Sequence, residues 1–265
     1  MIDLHHHLLF GLDDGAPDLD TSLAMVEMAL ADGITHIVCT PHANYRYAFS
    51  PEKNAERLAM IQELVGEKIT LGLGCDFHLS YENIQDVMVR PSRYTINGKQ
   101  YLLVEFPDFG IPQNITQSFY QMMQAGTVPV LTHPERNPTL AAQPERMTEW
   151  LRMGCLVQVT AGSLTGNFGR SAQRFAERMV GDRWVHLLAT DAHNTTSRPP
   201  RMRPAYEWLE RNHGHAEAER LCVTNPLAVF LGKALPEQPA PVGVFEEGNP
   251  RSRQGFWRSI FSGKK

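Results

Sequence analysis

The sequence predicts an α/β protein built on a parallel sheet, and three observations carry that expectation. Short β-type runs alternate with helical patterns along most of the 265 residues. Hydrophobic residues make up 42% of the chain, enough for one large core. The length suits a single α/β unit as well as two smaller domains. Strand candidates fall at residues 2–4, 34–40, 69–73, 101–105, 128–132, 156–160 and 185–189. An alternation of this kind gives parallel strands in an open sheet or a closed barrel.

The intervening helices carry their own signals. Residues 20–31 place Leu23, Val26 and Leu30 at helical spacing, and Gly33 ends the run. Ser50, Pro51 and Glu52 combine a cap with a proline at the first helical position. That helix runs through Leu58, Ile61, Leu64 and Val65 to Gly66. Further helices are expected at 115–124, 145–153, 171–180 and 202–211. Asn97-Gly98 reads as a hairpin turn into the 101–105 strand. From Pro236 the composition shifts to Pro, Glu and Gly, which predicts a flexible tail over 236–265 behind a domain at 1–235. The tail ends in Arg251, Arg253, Arg258, Lys264 and Lys265 around Phe256, Trp257, Ile260 and Phe261. Such a segment suits an anionic lipid surface, an acidic partner, or simple solvation.

Charge and cysteine usage exclude several classes. With 25 Lys+Arg against 29 Asp+Glu the formal charge is −4, which disfavours a general nucleic-acid binder. Four scattered cysteines make no disulfide framework, so a reduced, cytoplasmic setting is expected. No apolar run approaches the ~20 residues that span a bilayer. The first residues lack a basic stretch followed by an apolar one, and no signal peptide is expected.

Polar residues then fall at the ends of the strand candidates. The first runs into His5-His6-His7, with Asp13-Asp14-Gly15 in the following loop. The second leads to Pro41-His42, the third to Cys75-Asp76, and the fourth ends at Glu105. The fifth runs into His133-Pro134-Glu135-Arg136, and the last into Asp191-Ala192-His193. Parallel α/β folds gather these ends at one mouth. Any single histidine there is ordinarily structural; the convergence of six strands is what indicates a metal centre. His36, His186, His213 and His215 sit on strand faces or in a late helical region and read as structural or exposed.

Imidazole mixed with carboxylate suits Mn²⁺, Fe²⁺ or Zn²⁺. The candidate ligands His5, His7, Asp14, His42, Asp76, Glu105, His133, Asp191 and His193 are too many for one ion, so two or three are expected. Clustered divalent ions activate water and clamp the oxygens of an in-line displacement, which suits phosphoester hydrolysis. A cysteine nucleophile followed six positions later by arginine is absent, since Cys39, Cys75, Cys155 and Cys222 have Tyr45, Tyr81, Ala161 and Ala228 at that offset.

These motifs together resemble the bacterial metal-dependent protein-tyrosine phosphatases of the polymerase-and-histidinol-phosphatase superfamily. The resemblance also takes in Gly162-Ser163-Leu164-Thr165-Gly166 and Arg198-Pro199-Pro200 and spans about residues 1–235. It implies a distorted (β/α)7 barrel, a trinuclear site usually supplied with manganese, and a substrate that is a tyrosine autokinase controlling capsule or exopolysaccharide synthesis. It assigns His5, His7 and Asp191 to one ion, with Asp76 bridging to a second that also takes Glu105 and His133. Asp14, His42 and His193 would hold the third, with Arg136 and Arg198 binding phosphate. The family usually has Glu at the position of Asp76. Rival expectations are a small-molecule phosphatase of the histidinol-phosphate type and a non-catalytic phosphate-binding module.

Overall fold

The computed structural model describes residues 1–107 and 110–245. Its strands are β1 (Ile2–His6), β2 (His36–Cys39), β3 (His42–Ala43), β4 (Thr70–Leu73), β5 (Asp76–His78), β6 (Tyr101–Glu105), β7 (Val128–Thr132), β8 (Leu156–Thr160) and β9 (Leu187–Ala189). Between and after them lie α1 (Leu19–Asp32), α2 (Pro51–Val65), α3 (Tyr81–Val89), α4 (Ile115–Gln124), α5 (Pro138–Ala142), α6 (Arg146–Met153), α7 (Ala161–Leu164), α8 (Gly169–Gly181), α9 (Arg203–His213), α10 (His215–Glu219) and α11 (Asn225–Phe230). Every ladder is parallel, in the orders β1-β2-β4 and β3-β5-β6-β7-β8-β9.

The two sheets are parts of one circuit. β3 continues β2 after Thr40 and Pro41, and β5 continues β4 after Gly74 and Cys75, so two of the staves are broken midway. Between β9 and β1 the circuit is joined by a bridge between His6 and Ala192. The His7 N–H donates to the Ala192 carbonyl at 2.9 Å, and the Asp191 N–H to that of His5 at 2.9 Å. Buried Asp3 reinforces this seam by accepting from the Thr190 N–H at 2.9 Å. The result is a distorted seven-stave α/β barrel with an incomplete ladder.

Period-two alternation explains how its interior changes along the strands. On β6, Tyr101 and Leu103 share a face with Glu105. On β7, Val128 and Val130 precede Thr132, and on β8, Leu156 precedes Gln158 and Thr160. The apolar members form one buried cluster with Ile2, Leu4, Ile96 and Val229. The opposite faces, including Leu102, Val104, Val157 and Leu188, join the larger core under the helices.

Helix signals translate directly. The Asp18 carboxylate caps α1 through the Thr21 N–H at 2.8 Å, and Gly33 ends it at φ 90°, where a Cβ would be strained. Ser50 caps α2 ahead of Pro51. Helix α3 was not expected: its apolar stripe is short, with Ile84, Val87 and Met88 packed on the core and Tyr81 and Val89 exposed.

The Asn97-Gly98 hairpin expectation is overturned. Residues Ile96–Gly98 form a 3-10 turn, and β6 lies parallel to both its neighbours. Asn97 adopts φ 52° and instead links separate parts of the barrel: its amide donates to the Phe230 carbonyl at 2.9 Å and its carbonyl accepts from the Leu73 N–H at 3.1 Å.

The composition break at Pro236 does not end the packed chain. The Trp184 indole donates to the Val242 carbonyl at 2.9 Å, Arg152 donates to the Val244 carbonyl at 2.6 Å, and Val244 is buried. Gln238 and Asn225 exchange two side-chain hydrogen bonds of 2.9 Å. Flexibility therefore does not describe residues 236–245. The basic end, with Arg251, Arg253, Arg258, Lys264 and Lys265, lies outside the described residues. Among the described residues no helix is long and apolar enough to cross a membrane.

Candidate metal centre

All nine expected ligands meet at the C-terminal end of the strands. Four overlapping groups have ligand atoms within 4.8 Å of one another: His7/Asp14/His42/His193, His5/His7/Asp76, His5/His133/Asp191, and His42/Asp76/Glu105. The grouping differs in part from the division that the resemblance implied, since His7 and His42 each belong to two groups and His133 sits with His5 and Asp191. With Arg136 and Arg198, most of these residues line a cavity of about 230 Å³.

Local backbone geometry aims the side chains. A register shift in β1 between Asp3 and His6 separates the His5–His7 segment from the regular ladder. The β3–β5–β6 ladder sets His42 opposite Asp76, and Asp76 opposite Leu103, two residues before Glu105. His133 and Asp191 have φ of 33° and 52°, left-handed conformations that are uncommon outside glycine and cluster at functional sites. Gly15 closes the Asp13-Asp14 loop against β1, where an added Cβ would stand 2.3 Å from the His7 carbonyl oxygen.

Three imidazoles are oriented through their Nδ1 atoms. His7 Nδ1 lies 2.8 Å from the Asp13 carboxylate, His5 Nδ1 is 3.0 Å from Gln158 Oε1, and His193 Nδ1 is 3.0 Å from the Asp191 carbonyl. Each partner accepts, so each Nδ1 carries its proton and Nε2 faces the cluster. His5 Nε2 and His7 Nε2 are 3.4 Å apart. Asp191 Oδ1 is 3.3 Å from the first and 3.5 Å from the second. Asp76 Oδ2 is 3.4 Å from His5 Nε2, 4.0 Å from His7 Nε2 and 3.1 Å from His42 Nδ1. The shorter Asp side chain at this position thus reaches all three imidazoles.

The rim is more open. His42 Nε2 is 3.2 Å from Asp14 Oδ1, whose side chain is 47% exposed, and His193 Nε2 is 3.6 Å from the same oxygen. His133 Nε2 is 3.5 Å from Glu105. Arg136 and Arg198 both donate to Asp191 Oδ2, leaving Oδ1 to the imidazoles. Phe168 lies under both guanidinium groups, 4.5 Å from Arg136 and 6.0 Å from Arg198.

Without cations the cluster is electrostatically strained. Burial alone would lower His5, yet Asp191 and Asp76 raise it to about 9. His42 is likewise opposed by burial but raised to about 11 by Asp14 and Asp76. Burial and then Asp76 push Glu105 up to about 8. Burial and His7 hold His193 near 3. Both Asp76 carboxylate oxygens are buried; Oδ2 faces only the His42 and His5 imidazoles, and Oδ1 has no partner. Buried carboxylates facing imidazoles whose outer nitrogens are already fixed as donors fit divalent cations, with imidazolium protons standing in for them.

Several contributors were missed from sequence. Asp13 was seen only as a neighbour of Asp14; it accepts from His7, from the Gly15 N–H at 2.9 Å and from the His42 N–H at 3.1 Å. Gln158 and Phe168 carried no motif signal. Glu135, quoted beside Arg136, is buried and accepts from the Ser163 hydroxyl at 2.7 Å and the Thr160 N–H at 3.0 Å, tying the arginine loop to the 162–166 motif. His36 and His186 are structural: His36 packs edge-on to Phe230, and His186 accepts from the Val157 N–H. His213 and His215 are exposed.

The whole chain was compared with known proteins. YwqE, a tyrosine-protein phosphatase of Bacillus subtilis strain 168, is 32% identical over 244 residues, covering 90% of this chain and 95% of its own. CpsB, a tyrosine-protein phosphatase of Streptococcus pneumoniae, is 28% identical over 248 residues, covering 89% and 100%. A crystal structure from work on these two proteins, described as unique metal-dependent tyrosine phosphatases, matches with a TM-score of 0.85 at 29% identity, covering 93% of this chain and 100% of the other. A β-aspartyl dipeptidase of Fervidobacterium islandicum AW-1, at 16% identity and a TM-score of 0.56 over 91% of this chain and 77% of its own, shares the fold alone. A family model for capsular polysaccharide synthesis, CpsB/CapC, matches residues 1–231, and the chain belongs to that family.

Proposed function

We propose that the nine-residue cluster holds two or three divalent ions, manganese foremost, and that phosphotyrosine in a protein substrate is hydrolysed there. The chain is a metal-dependent protein-tyrosine phosphatase; its family and relatives carry that reading together with the cluster. The observation that bears most weight is the apposition of His5 Nε2 and His7 Nε2 at 3.4 Å. Two lone pairs directed at each other, beside the buried carboxylate of Asp76, repel unless a cation or proton lies between them.

In this reading His5, His7 and Asp191 would hold one ion, Asp76, Glu105 and His133 a second, and Asp14, His42 and His193 a third. Bound divalent ions supply a water of lowered pKa and positive charge for phosphate oxygens. Arg136 and Arg198 orient the phosphate. Each guanidinium has donors left after its bond to Asp191, and the buried Arg198 Nε has no partner. Phe168 keeps the two guanidinium planes together, so their charge is assembled before substrate arrives. A phenolate leaving group, of pKa about 10, requires little protonation. Tyr45, 90% exposed, and Tyr47, stacked on His42, stand at the rim where a phosphotyrosyl segment enters.

We assign the substrate to a tyrosine autokinase that controls capsule or exopolysaccharide synthesis, acting in the cytoplasm. The capsular description of the family and the phosphatase names of the relatives support this. The test is elemental analysis of purified protein together with turnover of phosphotyrosyl peptide and histidinol phosphate before and after exhaustive chelation. Stoichiometric metal and chelator-sensitive peptide turnover are expected. Full activity without metal, or turnover of histidinol phosphate alone, would overturn the assignment.

A further inference from the structure

The lining of the metal cavity is divided by strand. Three neighbouring strands each supply a ligand and, just after it, a ring: β3 gives His42 and then Tyr45, β5 gives Asp76 and then His78, and β6 gives Glu105 and then Phe106. The two arginines bonded to Asp191 come from the other half of the sheet, Arg136 after β7 and Arg198 after β9. One side of the cavity is thus built for phosphate oxygens, and the other carries aromatic surface.

The backbone beneath the aromatic side is held in place. Asn83 Nδ2 donates to the Ala43 carbonyl at 2.7 Å and to the His78 carbonyl at 2.9 Å, which ties the ends of β3 and β5 together. Asn44 Oδ1 accepts from the Arg46 and Tyr47 N–H groups, both at 2.9 Å, and fixes the turn that carries Tyr45. Two of the nearby rings are already stacked. Tyr47 lies on His42 with centroids 5.8 Å apart, and Phe106 lies on Trp150 at 5.3 Å. Tyr45 differs: it meets His78 edge-on at 6.5 Å and is 90% exposed. Its ring surface is therefore free for a ligand at the cavity mouth.

We propose that Tyr45 is a specificity-determining residue, its ring packing on the ring of phosphotyrosine and so selecting aryl over alkyl phosphates. This role rests on the phosphatase reading of the metal cavity. In phosphotyrosine a single ester oxygen joins phosphorus to a rigid ring. A phosphate held by Arg136 and Arg198 therefore places that ring towards the mouth, on the side where Tyr45 stands. Phosphoserine has a short alkyl chain at the same place and gains no ring contact.

Competitive inhibition of the metal-loaded full chain by phenylphosphonate and by methylphosphonate tests the proposal. The parent should prefer phenylphosphonate, and Tyr45→Ala should narrow the preference by about fivefold, the value of one aromatic pair. Tyr45→Phe should keep it. Arg46→Ala, in the same turn, should keep it too, because a lost charge weakens both anions alike. The exposed Tyr45 ring packs into no core, so its removal should leave the melting temperature near that of the parent. With phosphotyrosyl peptide, Tyr45→Ala should raise KM by a similar factor and change kcat less, since the ring does not touch the reacting atoms. No preference in the parent, an unchanged preference in Tyr45→Ala, or an equal narrowing in Arg46→Ala would overturn the role of Tyr45 and leave the phosphatase reading standing. Failure of both phosphonates to compete with substrate would overturn the two together.

Discussion

The two ends of the barrel interior use the same strands and the same alternating faces to opposite effect. At the N-terminal end Tyr101, Leu103, Val130, Leu156 and Leu187 pack into an apolar plug closed by Ile96 and Val229. One or two strand steps later those faces present Glu105, Gln158 and Asp191 to a buried polar cluster. A well-packed plug holds the staves in register, and that rigidity lets ligand atoms from six strand ends and the Asp13-Asp14 loop converge. Stability is concentrated at one end and chemistry at the other, so the two should be separable by mutation.

The sharpest way to break this contrast is at the ligands. His42→Ala should lower kcat/KM by more than about 100-fold, beyond the usual cost of losing an outer hydrogen-bonding partner, while the melting temperature of the chelated protein changes little. Undiminished activity would remove the cluster from catalysis. At the opposite end, Leu103→Ala should cost about 3 kcal/mol in urea unfolding and leave the turnover of the folded fraction near that of the parent. A large loss of turnover at full folding would show that the plug and the site are not independent.

Orienting groups come next. Asp13→Asn removes the charge that fixes the His7 tautomer and should weaken metal binding by about tenfold to 100-fold in competition titrations. Proton linkage sharpens the comparison further. His5 and His42 are raised to about 9 and about 11 in the metal-free cluster, so at pH 7 both carry protons that a metal must displace. Metal loading should therefore release protons, visible as buffer-dependent heats in calorimetry, and apparent affinity should climb with pH. For the chelated protein the sign reverses. A raised imidazole stabilises the fold fully below its unfolded pKa of about 6.5, and for His5 that contribution is lost as pH rises through about 9. Melting of chelated protein across this range measures it. The smallest effect belongs to Phe168→Leu, which should raise KM for phosphotyrosyl peptide by about threefold with kcat nearly unchanged, since the ring holds the arginines without touching the reacting atoms.

Much of the plan was legible in the primary order. Apolar runs between capped helices announced a parallel α/β chain, because period, caps and glycine stops are local properties. The polar residues at strand ends announced the cluster because parallel topology gathers those ends. Lost to sequence were the short segments β3 and β5, whose two- and three-residue spans are too brief to show a period, and helix α3, whose apolar stripe is only Ile84, Val87 and Met88. Asn97-Gly98 misled because a turn dipeptide specifies a bend and not the direction of the strand that follows.

The sequence by itself determined which residue types stand at the strand ends, and hence the chemistry on offer. Tertiary structure alone decided that Asp13 grips His7 while Asp14 faces His42, that Gln158 orients His5 across 153 positions, and that Phe168 underlies two distant arginines. Local preference is written in spacing. The partner of a buried polar atom is set by which staves close beside it, and that information exists only once the chain has folded.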